Sequence, residues 1–470
     1  MIRSCRLLAL FGILLSGVGR ADYMDHFAFR EDVGPHKVPY LGPAKLLVIP
    51  VEVAGAPRID VAKLERFFGP DEPGGFVDFY RTASLGRYLP VVSIAPVVHY
   101  DACPLPEAQF PGCAVERGDI AAFTPGMALI RDVVHRADLA GVDFSQFDVN
   151  GRKGTADGYA DGVMILTNIR FGGIAFPFAY YNRDDNLAGG MGGPLIVDGV
   201  KIPHVAIAGE GDARVLVHEF GHLLGLTDLY DESGQYDGLP FSFMGAWDYD
   251  PNIPLPDAET RYRLRWANVV QVEGEGRLAI PPVEASGQVF RLGTGTEYFL
   301  VENRGPGGRF DGEFTARGLV VYHVDRSVRL GGEEGRFVER LVQCVECDPW
   351  HPYIRVVQAD GRFDLEAGGR PDYANDLFGE GDVLRPDPGS TPLSPDHRVE
   401  STNLYSGAPT GWRIDGLKVL EDGTIEASFS GPPTDPCADP LCEDGEACQA
   451  INCAAPAPDG VEEPRGCGCA

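Results

Sequence analysis

Two histidines and a glutamate lie close together in the stretch His218-Glu219-Phe220-Gly221-His222. In a helix, residues four positions apart lie on the same face, so both imidazoles can reach one metal ion. Zinc binds two neutral histidine nitrogens together with one carboxylate, and it then keeps a fourth position for water. Glu219 lies beside these histidines but points in another direction, which suits it to act as the general base on that water. The spacing therefore predicts a zinc-dependent hydrolytic site.

The residues that follow predict the rest of such a site. Gly225 lets the backbone turn sharply, and Asp228 occupies the place of the third ligand in the extended pattern HExxHxxGxxH. Should Asp228 not bind the metal, Asp231 and Glu259 are the next candidates. Met244 has the spacing of the methionine turn that lies beneath the metal in metzincins. We therefore expect one catalytic zinc ion, held by His218, His222 and Asp228.

The helix that carries these residues has its own start and stop signals. Asp212 precedes it as a candidate N-cap, and Gly225 can end it in the left-handed conformation that other residues avoid. Val217, Phe220 and Leu224 recur at the spacing of a buried helix face. These signals predict a helix between Asp212 and Gly225 that packs against the core on one side.

Strand and helix patterns alternate through the first part of the chain. Near-continuous apolar runs at residues 46–53 and 162–169 predict strands covered on both faces. Pro50 indicates a strand edge or a bulge in the first run. Helix signals extend over residues 60–68 and 124–139. The alternation predicts an α/β or α+β domain. Taken together with the HExxH pattern and the methionine turn, it leads us to expect an α+β fold of the zincin or metzincin type, with a mixed sheet and an active-site helix.

Beyond about residue 270, short apolar runs recur between Gly, Pro and Asp turns, at residues 298–302, 319–324 and 353–358. This pattern predicts an all-β domain. The final residues are rich in Cys, Pro and acidic residues and have almost no core formers. The predicted organisation is a signal peptide (1–21), a short N-terminal segment (22–44), a catalytic domain (45–270), a β-rich domain (271–430) and a Cys-rich, partly disordered tail (431–470).

The N-terminus has the layout of an export signal. Arg3 and Arg6 precede an apolar segment at residues 7–18, and a small-residue cleavage site follows at residues 19–21. No later stretch is long and apolar enough to cross a bilayer, so we expect a secreted monomer without a transmembrane segment in the mature chain. The alternative is attachment to the cell surface through the tail, where residues 467–469 resemble the start of a bacterial sorting signal.

Cysteine usage agrees with export. Of the 11 cysteines, Cys5 lies in the predicted signal, and the even number that remains favours disulfides. Cys103 and Cys113 bracket a Pro-rich loop and are expected to pair. Cys344 and Cys347 form a CxxC outside any thioredoxin-like setting, which favours a structural role. The four cysteines of the tail at residues 437–453 leave three pairings open.

The chain is strongly acidic, with a formal net charge of -29 at pH 7. A phosphate backbone or an anionic bilayer needs a basic counter-surface, so neither nucleic acid nor anionic lipid is an expected partner. Excess carboxylates can instead hold calcium, which prefers oxygen ligands. One stretch begins like a calcium loop, although its spacing is stretched, and its candidate ligands are Asp148, Asn150, Asp157 and Asp161. The alternative for this stretch is an Asx-rich turn without metal.

A family resemblance adds to these predictions. Residues 218–231 (HEFGHLLGLTDLYD), together with Met244 and Gly245, resemble the immune inhibitor A family of secreted bacterial zinc metallopeptidases. Segments that resemble this family in the same order lie at residues 76–89, 144–161, 297–304, 318–325 and 358–361. The resemblance covers roughly residues 45–430 and implies a zinc endopeptidase that acts on proteins or peptides.

The sequence thus predicts peptide-bond hydrolysis by zinc-activated water, with Glu219 as the general base. The substrate is expected to lie extended along a sheet edge as an added antiparallel strand. The alternative from another class is a cell-surface adhesin in which the β domain binds and the zinc site is residual. The intact Glu219 argues against it, because a site without catalysis has no need of a base beside the metal.

Overall fold

The computed structural model describes residues 38–104, 123–150, 155–169, 174–176, 195–202, 205–209, 212–226, 229, 239, 241–245, 253–312, 314–330, 338–339, 350–367 and 372–433. Within these ranges the chain is mixed α/β, with several sheets and few helices. The chain divides into two compact units. The first comprises Met1–Asp78, Tyr88–Gly234 and Gly331–Glu339, and the second comprises Phe79–Arg87, Gln235–Leu330 and Arg340–Ala470. Among the helices in the described ranges, none has both the length and the apolar character that a bilayer span requires.

The first unit is built on a six-stranded mixed sheet. The strands up to residue 208 are β1 (Gly42–Val53), β2 (Tyr88–Ile94), β3 (Val98–Tyr100), β4 (Val163–Thr167), β5 (Ile174–Phe176), β6 (Ile196–Val197), β7 (Val200–Lys201) and β8 (Val205–Ala208). The sheet order is β2-β1-β4-β8-β5, and β3 also pairs with β1. All pairings in this sheet are parallel except that of β5, which runs antiparallel to β8 at the end of the sheet. The pair β6–β7 forms a separate hairpin.

Helices cover both faces of this sheet. These are α3 (Phe123–Leu139) and α4 (Val215–Leu223). The chain before residue 215 also forms α1 (Val61–Phe67), α2 (Phe76–Ala83) and a 3₁₀ turn at Phe144–Phe147. Ile130 and Val133 of α3 share one core with Ile49 and Val163 of the sheet. Side chains of a strand alternate between faces, so the neighbouring strand residues face the other layer, where α4 packs against β4, β5 and β8. The predicted helix over residues 124–139 is confirmed.

Pro50 lies inside β1, at a position where the neighbouring strand is interrupted. β1 is flanked by β4 on one side and by β2 and β3 on the other, so the predicted strand edge is wrong. β2 pairs up to Val48, and β3 begins to pair at Val51. The amide of Leu47 donates to Gly162 on the β4 side, so alternation places the nitrogen of Pro50 on the opposite side. Proline has no N–H, but no strand hydrogen bond is lost at this position, because β2 has ended and β3 has not yet begun.

The strands after residue 267 are β9 (Asn268–Gln271), β10 (Gly276–Ile280), β11 (Gln288–Leu292), β12 (Glu297–Arg304), β13 (Gly318–Asp325), β14 (Arg329–Leu330), β15 (Val338–Glu339), β16 (Ile354–Val357), β17 (Arg413–Val419) and β18 (Ile425–Ser430). In the second unit, β16-β13-β12-β11-β9 form one sheet and β10-β18-β17 form another. Both sheets contribute to one core that contains Phe290, Val301, Trp412 and Phe429. The strands predicted at residues 298–302 and 319–324 are confirmed as parts of β12 and β13, and the strand predicted at residues 353–358 contains β16.

Short helices complete the second unit. They are α5 (Ala258–Arg263), α6 (Val283–Ser286) and a 3₁₀ turn at Leu365–Ala367. The C-terminal part of α2 also belongs to this unit, and its two aromatic residues are fully buried. The ring of Phe79 lies 5.2 Å from that of Phe243 and 5.3 Å from that of Phe310, and Tyr80 lies 6.1 Å from Trp266. An early segment of the chain thus fills a core whose other members come much later in the sequence.

Several predictions lie outside the described residues. These are the signal peptide, the tail beyond residue 433, Cys113, Cys344 and Cys347. Cys103 is partly buried against the core of the first unit, and its pairing stays a prediction. The domain boundaries drawn from the sequence also stay predictions.

Candidate metal centre

The helix α4 is buried because its apolar side packs against the sheet and against Phe76. Phe220 contacts Phe76, with ring centroids 5.3 Å apart, and its ring stacks on Tyr88 at 6.4 Å. A side chain added at Gly162, just before β4, would place its Cβ only 3.0 Å from the Phe220 ring. This close packing fixes the rotation of α4 about its axis, and with it the directions of the functional side chains on the helix.

The helix starts later than the sequence predicted. Its N-cap position is Arg214, which makes no side-chain capping hydrogen bond, so the predicted N-cap role of Asp212 is wrong. Asp212 instead accepts a hydrogen bond from the backbone N–H of Arg214 at 3.0 Å and forms an ion pair with the guanidinium of the same residue at 3.1 Å. The reason is distance along the chain, since a capping side chain must directly precede the first helical residue, Val215.

The predicted end of the helix is confirmed. Gly225 has a φ of 91°, in the left-handed region that favours glycine. The N–H of Leu226 donates to the carbonyl of Gly221 at 3.1 Å, and the N–H of Gly225 donates to that of His222 at 2.9 Å. These two bonds form a Schellman motif, which satisfies the last carbonyls of the helix and reverses the chain tightly.

His218 and His222 occupy the same face of α4, as the four-residue spacing predicts. Their exposed fractions are only 4% and 1%. Their ring centroids lie 5.0 Å apart, and the ring planes are inclined at 84°. Glu219 is 2% exposed and lies next to them in the sequence. The three side chains that the motif singles out are therefore shielded from bulk water on one short helix.

The tautomer of His222 follows from its neighbour. Nδ1 of His222 lies 3.0 Å from the carbonyl oxygen of Leu226. A carbonyl oxygen only accepts hydrogen bonds, so Nδ1 must carry the proton. In the neutral imidazole the lone pair is then on Nε2, which is the nitrogen that a metal needs. The Schellman turn thus brings a backbone carbonyl to Nδ1 of His222, and the proton held there leaves Nε2 able to bind a metal.

The predicted third ligand, Asp228, lies outside the described residues, as does its alternative Asp231. The other alternative, Glu259, has a structural role in the second unit. One of its carboxylate oxygens accepts from Tyr298 Oη at 2.7 Å, and the other accepts from Tyr353 Oη at 2.7 Å and from Arg326 Nε at 2.9 Å. A carboxylate engaged in this way argues against Glu259 as a zinc ligand.

A tight turn surrounds Met244, which is fully buried in the second unit. The N–H of Gly245 donates to the carbonyl of Ser242 at 2.9 Å. A Cβ at Gly245 would lie 2.3 Å from the carbonyl oxygen of Leu239, so only glycine fits. The hydroxyl of Ser242 donates to Asp257 at 2.8 Å, which ties the turn to the start of α5. The turn is present, and its place beneath a metal stays a prediction.

The candidate calcium stretch is held by side chains that accept from backbone amides. Asp148 accepts from Asp157 N at 2.9 Å and from Gly158 N at 2.8 Å. Asp161 accepts from Asn150 N at 3.1 Å and, through its other oxygen, from the N–H of Lys45 at 2.8 Å.

The remaining members of this stretch also form hydrogen bonds with the backbone, Asp157 as an acceptor and Asn150 as a donor. Asp157 accepts from the N–H of Tyr159 at 3.2 Å, and the Asn150 amide donates to the carbonyl of Pro43 at 2.7 Å. Burial raises the pKa of Asp161 to about 6, although its backbone hydrogen bonds act in the opposite direction. These contacts are those of an Asx-rich turn, the alternative to a calcium loop. Calcium binding here stays a prediction.

His323 has the buried structural role that its position in a β stretch predicts. Its exposed fraction is 3%, and its Nε2 lies 2.9 Å from Glu297. Its ring is stacked between Phe299 and Tyr405, with centroids 4.3 and 3.9 Å away. Burial lowers the pKa of His323 below 6.5, and the contact with Glu297 partly opposes that effect.

Sequence reasoning missed two features. One is the carbonyl of Leu226, a backbone atom that residue types cannot reveal. The other is a group of three aspartates in the second unit, Asp360, Asp364 and Asp376, of which only Asp360 lies in a segment with a family resemblance.

No family model matches the chain, and a search of curated proteins also finds no match.

Proposed function

We propose that this protein is a secreted zinc-dependent endopeptidase with a zincin-like catalytic fold. The observation that carries the proposal is the pair of buried imidazoles on α4, whose rings lie 5.0 Å apart. The contact of His222 with the Leu226 carbonyl adds to it, because that contact leaves Nε2 as the nitrogen with the lone pair.

The donor set fits zinc. His218 and His222 supply neutral nitrogens, and Asp228 supplies the carboxylate in the sequence position of the third ligand. When bound, zinc polarises a scissile carbonyl and lowers the pKa of water to about 7. The chain's own contribution is to hold His218 and His222 on one helical face and to shield both from bulk water.

Glu219 is the general base. It follows His218 directly, so it points roughly 100° away from it around the helix axis and is not directed along the ligand face. It is 2% exposed. Its carboxylate takes the proton of the attacking water and then donates it to the leaving amine.

The substrate is an extended protein or peptide segment. β5 pairs antiparallel with β8 and ends the sheet in the described strands, and α4 packs against both of these strands. An extended peptide that pairs with this edge would therefore run beside the helix that carries the ligands. Edge pairing uses backbone hydrogen bonds, so it accepts many sequences and leaves selectivity to side-chain contacts.

The test is cleavage of denatured casein by the full chain, with zinc content measured in parallel. Removal of metal with a chelator should abolish cleavage, and one equivalent of zinc should restore it. Glu219→Gln should lower kcat/KM by about 10²- to 10⁴-fold and still bind one zinc ion per chain. The exposed Glu65→Gln is the matched control and should keep full activity.

Two results would overturn the proposal. One is cleavage that persists without metal, and the other is full activity in Glu219→Gln. A chain that binds zinc and leaves all protein substrates intact would favour the adhesin alternative instead.

A further inference from the structure

A group of three aspartates lies in the second unit, away from the residues of the HExxH motif in the sequence. Asp360 and Asp364 belong to the loop after β16, and Asp376 ends a short turn that begins at Asp372. The two segments are joined by the backbone, since the N–H of Ala359 donates to the carbonyl of Asp376 at 3.0 Å. One carboxylate oxygen from each aspartate lies within 4.8 Å of one from each of the others.

The three carboxylates are largely buried, and the described residues do not provide hydrogen bonds to all of their oxygens. Asp376 is 0% exposed, and Asp360 and Asp364 are half-buried. Each of the three has a carboxylate oxygen that is shielded from solvent and accepts no hydrogen bond from the residues that the structure describes. The other oxygen of Asp376 accepts from the N–H of Asp372 at 2.7 Å, which holds the side chain in place. Buried acceptors in native proteins are almost always paired, so three together indicate a missing partner.

A surface arginine lies beside Asp360. Nε of Arg362 lies 3.2 Å from Oδ2 of Asp360, and its side chain is 63% exposed. It does not meet hydrogen-bond geometry with that oxygen. Burial raises the pKa of Asp376 to about 7, and the charges of Asp364 and Asp360 add to the effect. Three carboxylates in this arrangement thus destabilise one another unless a positive charge lies between them.

We propose that Asp360, Asp364 and Asp376 bind one calcium ion. All of the donors are oxygens, which hard cations prefer and zinc sites seldom use alone. Calcium–oxygen distances are about 2.4 Å, so two ligands of one ion are at most about 4.8 Å apart, and the observed separations satisfy this limit. Water or backbone carbonyls complete the six to eight ligands that calcium takes.

This site is distinct from the stretch at residues 148–161. In that stretch the carboxylates accept hydrogen bonds from backbone amides. Within the described part of the chain, by contrast, each of these three aspartates keeps a buried oxygen without a hydrogen bond. The ion would join the loop after β16 to the turn that ends at Asp376. We therefore expect calcium to stabilise the second unit.

The test uses the full chain, freed of metals on a chelating resin and then loaded with one equivalent of zinc. Calcium chloride is titrated by calorimetry, and thermal unfolding is followed with and without calcium. The wild type should bind calcium and unfold at a higher temperature in its presence. Asp376→Asn and Asp364→Asn should each weaken calcium binding by about tenfold or more and lose the thermal shift.

Two controls keep the result specific. Asp396→Asn removes an exposed carboxylate of the same unit, and Asp157→Asn alters the other candidate stretch. Both should bind calcium at the aspartate group as the wild type does. The proposal is overturned if the wild type binds no calcium, or if Asp376→Asn and Asp364→Asn bind it unchanged. If Asp376→Asn does not fold, the half-buried Asp364→Asn decides the question alone.

Discussion

Nδ1 of His222 lies 3.0 Å from the carbonyl oxygen of Leu226, four residues further along the chain. The contact exists because Gly225 takes a left-handed conformation and turns the chain back over the end of α4. A glycine that appears only to end a helix thus also orients a candidate metal ligand.

Gly225→Ala should therefore weaken zinc binding. A side chain at a φ of 91° is strained, so the turn should shift and move the Leu226 carbonyl away from His222. We expect zinc affinity to fall by about 10- to 100-fold, the range seen when a group that orients a ligand is lost. Gly141→Ala is a matched control, since Gly141 has a φ of 94° after α3 and nothing near its Cβ position. It should lose stability but keep zinc affinity, and equal losses of affinity in both variants would contradict the prediction.

Asp228→Ala should remove the third ligand. We expect zinc affinity to fall by more than about 100-fold, beyond the effect of residues that only orient a ligand. The measurement is metal content after dialysis against a weak chelator, with Asp231→Ala as the control from the same stretch. If zinc content is unchanged in Asp228→Ala and falls in Asp231→Ala, the third ligand is Asp231 and not Asp228.

Glu259→Gln should destabilise the second unit and leave zinc content unchanged. The substitution leaves Arg326 without its charge partner in a buried network with Tyr298 and Tyr353, and the loss of one member of a buried ion pair costs about 3 kcal/mol. The tryptophans that the structure describes, Trp266, Trp350 and Trp412, belong to the second unit, so tryptophan fluorescence in urea reports on its unfolding. The exposed Glu273→Gln should unfold like the wild type. A loss of zinc in Glu259→Gln would indicate that Glu259 binds the metal and would contradict the prediction.

The second unit should lose stability as the pH falls below about 6.5. Burial lowers the pKa of His323 in the folded state, so in that pH range the unfolded chain takes up a proton that the folded chain does not. The stabilising contribution is complete above the unfolded pKa of about 6.5 and declines below it, by up to about 1.4 kcal/mol per pH unit. Glu297, Asp325 and Arg355 are the charged groups that also act on this pKa.

His323→Gln tests this assignment, because glutamine can donate to Glu297 and does not titrate. Urea unfolding at several pH values should show a smaller slope between pH 5 and 6.5 than in the wild type. An unchanged slope would show that other groups cause the pH dependence.

The sequence predicted the elements that depend on local pattern. The buried strands β1 and β4, the helix α3 and the turn at Gly225 are found where apolar periodicity and glycine place them. The shared face of His218 and His222 also follows from helix geometry alone. These features could be predicted because each is decided by residues close together in the chain.

What the sequence did not predict depends on partners that are distant or lie in the backbone. Pro50 was expected at a strand edge or a bulge, and its tolerance in β1 depends on where two other strands end and begin. Asp376 meets Asp360 only through the fold, and their separation in the sequence matches no regular spacing. The Leu226 carbonyl has no signature in residue type at all. Such features require the positions of several elements at once.

The placement of Phe79 and Tyr80 has a consequence for synthesis on the ribosome. Their partners Phe243, Trp266 and Phe310 leave the ribosome up to roughly 230 residues later, which at about 5 to 20 residues per second is a delay of about 10 to 50 s. During that interval two large aromatic side chains have no core to enter. The second unit therefore cannot complete this core until Phe310 has been synthesised.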